Sequence, residues 1–168
     1  DITDLEKQID QIIYKDILKL TEDEQIVIQD TLNYSLDLFE NKEKSKAVLP
    51  VNSVNAYSKR VTKELNEWLD NVDLKVSATH YTINRNCPLY LVKLSFGNQI
   101  EDTKTSKEDI YNELKTLDKK LWNEESPSVY FRKKLNYFDK ENIYIIKPNQ
   151  KRFWCETAAM EDSKSLLV

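Results

Sequence analysis

Apolar residues recur along this chain with two periods. Leu5, Ile9, Ile12 and Ile17 return at close to helical spacing, and Ile28, Leu32, Leu36 and Phe39 do so again behind Thr21 and Glu24, which are placed to form a capping box. The lysine-rich run NKEKSK and Pro50 end this second helix and predict a solvated loop over 41–50. Asn52 or Ser53 can cap a third helix, on which Val54, Tyr57, Val61, Leu65 and Trp68 make one stripe. Past Asn71 the period falls to two. LKVSATHYTI sets Leu74, Val76 and Ala78 on one face, and after the short loop NRNCP the run LYLVKLSF aligns Tyr90, Val92, Leu94 and Phe96, so an antiparallel hairpin is expected. Ser106 with Asp109 opens a further helix bearing Ile110, Leu114, Leu117 and Leu121. VYFRKKLNYF and NIYIIK predict a second hairpin across DKEN, stopped by Pro148, which has no N–H for a ladder. ETAAMEDSKSLL reads as a closing helix.

This order predicts an α+β fold: two hairpins joined in one antiparallel sheet of about four strands, backed on one face by helices. Two regions are expected, a helical segment over 1–47 and an α+β domain over 48–168. The helical segment is either a substructure of its own or an arm that packs on a neighbour.

Composition narrows the function more than it names it. No apolar run approaches the roughly 18 residues of a membrane helix, so the chain reads as soluble. Cys87 and Cys155 have no metal-ligand spacing and form no disulfide framework, which makes a reducing, cytoplasmic setting the default. The chain opens at Asp1 inside a helical pattern and reads as a piece of a longer protein. With Gly97 as the single glycine, neither a phosphate-binding loop nor a dinucleotide fingerprint can be built, and no cofactor is expected. His80 is the only histidine, so histidine-based triads and metal sites reduce to one residue, which its strand position favours as a core or rim group. Asp139 and Glu141 fall in the second hairpin loop. No catalytic residue and no metal ligand is assigned.

Charge is distributed unevenly although the total is only −4. Residues 1–40 hold eleven acidic side chains and three lysines, whereas Tyr130–Trp154 holds seven basic residues against two acidic ones. In VYFRKKLNYF, alternation leaves Arg132 and Lys134 on one face with Tyr130 and Phe138. In KPNQKRFW, Pro148 swings the chain out of its strand and sets Lys147, Lys151 and Arg152 near a helix N-terminus, with Trp154 beside them. Basic groups neutralise phosphates and aromatic rings stack on bases, so Arg132, Lys134, Lys147, Lys151, Arg152 and Trp154 are the candidate nucleic-acid contacts, DNA being favoured. The competing reading has Phe153 and Trp154 anchoring a loop while the cations neutralise the acidic helices or a partner subunit.

Two stretches carry a resemblance. IDQIIYKDILKLTEDEQIVI (9–28) is similar to a helical segment, ID-x-x-(V/I)-Y followed by L-(S/T)-x-x-E, found near or after the catalytic domain of bacterial DNA adenine methyltransferases of restriction-modification systems. YIIKPNQKRFWCETAAMEDS (144–163) resembles a C-terminal block, K-P-x-Q-x-R-x-W with small residues and an acid after it, of large restriction-modification and phage-defence proteins. The Asn-Pro-Pro-aromatic catalytic motif and the methyl-donor glycine loop of those methyltransferases are absent. The resemblance therefore implies a non-catalytic accessory part, contacting nucleic acid or another subunit, with neither a membrane nor a small-molecule cofactor as partner.

Overall fold

The computed structural model describes residues 2–82, 87–99, 103–106, 110–124 and 134–167. The alternating runs form strands as their period demands. β1 (Lys75–Tyr81) and β2 (Leu89–Gly97) make the first antiparallel hairpin, with Ala78 opposite Leu94 and His80 opposite Val92. A third strand, β3 (Lys104–Ser106), runs parallel to β1. α5 (Ile110–Glu124) precedes the second hairpin, β4 (Leu135–Phe138) and β5 (Asn142–Pro148), whose turn is closed by reciprocal backbone bonds between Asp139 and Asn142 at 2.8 and 3.4 Å. β2 and β5 join the hairpins, giving a five-stranded mixed sheet of order β3-β1-β2-β5-β4.

The fold is α+β, but the expected four antiparallel strands become five with one parallel edge pair. Lys-Thr-Ser has no apolar alternation to announce it. The sheet is also not one-sided: Tyr144, Ile145 and Ile146 are consecutive and all buried, which needs cover on both faces. α4 (Asn55–Trp68) packs on β1 and on α6 (Glu156–Leu166), bringing Tyr57, Val61 and Leu65 onto the face of Val76, Ala78, Tyr90 and Val92. Leu91, Tyr144 and Ile146 lie on the opposite face of the sheet, and Ile110 and Leu117 of α5 belong to the same apolar cluster. The start of α4 differs in detail from expectation. Val54 is the cap position, and Ser53 Oγ accepts from the Asn55 N–H at 3.2 Å. The outer parts of two sequence readings, Asp109 before α5 and 129–133 of the second hairpin, lie outside the described residues.

The N-terminal helices divide into two unlike parts. α1 (Ile2–Ile12) runs on into a π-helical turn, Ile13–Ile17, and stops at Lys19, which has φ 53°. The capping box forms at Thr21 and Glu24 and opens α2 (Glu22–Asp30), which continues through a second π turn, Thr31–Leu36, into α3 (Asp37–Asn41). A π turn inserts a residue and rotates everything after it. The expected stripe of Ile28, Leu32, Leu36 and Phe39 is therefore broken: Phe39 is 81% exposed, and the side chains of Tyr34 and Leu38 face the domain cleft instead. Residues 22–49 pack on the domain. Asp23 pairs with Arg60 at 2.7 Å, Asp30 Oδ2 accepts from the Thr157 N–H at 2.9 Å, and the Lys151 N–H donates to Leu49 O at 3.0 Å. The Asp30 contact caps α6, whose own cap residue Cys155 provides no side-chain bond. α1 and its π turn leave Leu5, Ile9, Ile12, Ile17 and Leu18 between 53% and 67% exposed.

Candidate functional site

The basic block KPNQKRFW folds into a knot. Lys147 ends β5 opposite Tyr90 and therefore points to the face covered by α4 and α6. Its ammonium meets Asp162 of α6, donates to Phe153 O at 2.8 Å, and lies over the rings of Tyr57 at 4.5 Å and Trp154 at 5.1 Å. Burial lowers its pKa from the usual lysine value, and the Asp162 carboxylate opposes that shift. Asp162 is a hub: Oδ2 takes Lys147 and the Tyr57 hydroxyl (2.5 Å), and Oδ1 takes Lys134 Nζ at 3.0 Å. Desolvation and the neighbouring carboxylate push the Tyr57 phenol well above its ordinary range. Lys134 also donates to Ser165 Oγ at 2.7 Å.

Pro148 ends the ladder as expected, and the next residues tie the turn down. Asn149 Oδ1 accepts from the Val51 N–H at 3.1 Å, Asn149 Nδ2 donates to Cys87 O at 3.0 Å, and Trp154 Nε1 donates to Pro148 O at 2.9 Å. The Trp154 ring is 3% exposed and makes edge contacts with Tyr57 and Tyr90, centroids 4.9 and 5.4 Å apart.

The six candidate contacts therefore separate. Lys147 and Trp154 are interior, so neither presents a free ammonium or a ring face. Lys134 is held by Asp162 and Ser165. Lys151 and Arg152 remain partly exposed, Arg152 donating through Nε to Gln150 Oε1 at 3.0 Å while lying over Phe153 at 4.6 Å. Arg132 lies outside the described residues. Sequence reasoning missed Asp162, Tyr57 and Asn149. One signal was present: Ala159, Asp162, Ser163 and Leu166 share a stripe of the closing helix, so an acid sat where only a partnered acid is tolerated.

Burial pushes the Cys155 thiol up to about 12, leaving it protonated and unreactive at neutral pH. His80 is half-buried on β1 between β3 and β2, its Nε2 2.9 Å from Thr105 Oγ1 and its pKa lowered by burial. Among the described residues no group of His, Cys, Asp and Glu is placed to hold a metal, and no helix is long and apolar enough to cross a membrane.

Beside the hub lies a cleft of about 480 Å³, between residues 34–38 and α6, into which Lys134, Arg152 and Asp162 face. No family model matches the chain, and neither curated proteins nor solved structures offer a match.

Proposed function

We propose that this chain is a non-catalytic accessory domain that docks α1 and its π turn into a protein partner, in keeping with the resemblance to restriction-modification and phage-defence proteins. The observation that carries this reading is the uncovered stripe of Leu5, Ile9, Ile12, Ile17 and Leu18, in contrast to α4, which buries Tyr57, Val61 and Leu65. Five half-exposed aliphatic side chains hold on the order of 5 kcal/mol of burial energy still to be realised. Asp4, Glu6, Asp10 and Asp16 outnumber Lys7 and Lys15 on the same helix, so a second copy would set like charge against like. The occupant that fits is an apolar groove rimmed by lysine or arginine on another subunit or another part of the parent protein. A photo-crosslinker at Ile9 should capture that partner in cells, and the purified partner should bind wild type at least about tenfold more tightly than Ile9→Asp or Ile12→Asp. Equal affinity for these variants, or a large loss of melting temperature on deleting 2–20, sinks the reading.

A second role, contact with nucleic acid, is favoured by one feature of the fold. The 3₁₀ turn Lys46–Val48 packs on the 3₁₀ turn Lys151–Phe153, which brings the segment that follows the exposed Lys42, Glu43 and Lys44 against the one that carries Lys151. Three phosphate contacts on duplex DNA give a salt slope of about −3, since each releases counterions at about −0.9. Replacing Lys42, Lys44 and Lys151 by Ala should flatten that slope. Absence of binding at low salt removes this role and leaves the docking role standing.

A further inference from the structure

Two cations share one carboxylate in the Asp162 hub, which leaves a net positive charge at the floor of the cleft. Arg152 adds a second, and Glu161 at the rim removes one. Apart from the Glu161 carboxylate at the rim, the groups facing the cleft with bonding capacity to spare can all donate. Arg152 uses Nε on Gln150, leaving the two terminal nitrogens of its fork, and among the described residues no hydrogen bond occupies the Tyr34 and Ser35 hydroxyls. Desolvation, with Asp30 nearby, raises the Tyr34 pKa, so its hydroxyl keeps its proton to donate. A guanidinium fork, an ammonium and two hydroxyls around a net positive floor match an anion with several acceptor oxygens. The cleft, at about 480 Å³, is larger than such an anion alone needs and has the half-buried Phe153 on its wall.

We infer that this cleft binds the phosphate of a nucleotide-sized ligand, with Arg152, Lys134, Tyr34 and Ser35 as its donors. This site depends on neither the α1 stripe nor Lys42, Lys44 and Lys151. The phosphate belongs either to a free nucleotide or to the end of a nucleic-acid strand, and the probes distinguish them.

Calorimetry on the full chain at low ionic strength would use inorganic phosphate, a nucleoside 5′-monophosphate, the unphosphorylated nucleoside, and a short strand with and without a 5′-phosphate. The nucleoside monophosphate should bind and the nucleoside should not. Arg152→Gln should weaken binding by about tenfold or more, as expected for loss of a charge-assisted fork. Tyr34→Phe, which keeps the ring, should weaken it by a smaller factor, and Lys59→Ala on the exposed side of α4 should leave it unchanged. Binding of the 5′-phosphorylated strand in preference to the monophosphate would assign the strand end as the source. Failure of every phosphate-bearing probe to bind folded wild type overturns the proposal. So does equal binding by a folded Arg152→Gln, or equal binding of the unphosphorylated nucleoside.

Discussion

α1 and α4 carry similar amphipathic stripes and meet opposite fates. Tyr57, Val61 and Leu65 of α4 are buried to within a few per cent, whereas Leu5, Ile9 and Ile12 of α1 stay more than half exposed. What separates them is polar fastening. α4 is pinned along its length: Tyr57 to Asp162, Arg60 to Asp23 and the Met160 sulfur, and Asn66 to both backbone groups of Val76, at 2.7 and 2.9 Å. α1 has a stripe without that set of fasteners. An apolar stripe thus states a capacity to bury surface, while buried and half-buried polar pairs decide against what.

The largest test removes the hub. Asp162→Ala leaves the Lys147 ammonium buried without its carboxylate and should cost about 3–5 kcal/mol in urea unfolding, the range for breaking a buried pair from one side. Asp10→Ala on α1 should stay within about 0.5 kcal/mol of wild type. Next comes the apolar contrast: Leu65→Ala should cost about 2–5 kcal/mol, and Ile9→Ala should change stability by no more than about 0.5 kcal/mol while weakening the partner. Equal losses from the two would erase the distinction between the helices. The fastening of 22–49 to the domain is tested by Asp30→Ala, which uncaps α6 and should cost about 1 kcal/mol.

The smallest effect concerns pH. Burial holds the His80 pKa below its ordinary 6.5, so the unfolded chain takes up a proton that the folded one resists. The contribution is fully present above 6.5 and is lost as pH falls through the folded value. Wild type should lose more melting temperature between neutral and mildly acidic buffer than His80→Gln does. Equal losses would place His80 in ordinary solvent, free of its position between Val92 and Thr105.

Much of this architecture was legible in the residues, for reasons that also mark the limits. β1, β2 and β4 announce themselves by alternation, β5 by a short apolar run that Pro148 stops, and Thr21 with Glu24 by a cap whose two bonds are local in sequence. β3 escapes because its pairing is written in β1 rather than in Lys-Thr-Ser. The stripe of Ile28, Leu32, Leu36 and Phe39 fails because a period of 3.6 is assumed across a π turn that no residue type signals. The basic block misleads for a different reason: composition counts the charge on Lys147 and Lys134, but the acid that occupies them is Asp162, on another element. Trp154 likewise looks available until Tyr57 and Tyr90 are brought against it.

The fasteners also fix an order of events. Val51 to Asn149, Tyr57 to Asp162 and Asp30 to Thr157 span 98, 105 and 127 residues of sequence. Each closes a long loop before it returns any stabilisation, so the high contact order they impose predicts slow folding relative to helical bundles of this size. During synthesis, the parts of α4 and the first hairpin that meet α6 and β5 stay bare until residues 142–166 have emerged. A chain stalled before that point displays the apolar face of β2 and an open edge where β5 belongs, which makes incomplete translation products of this domain natural clients for chaperones.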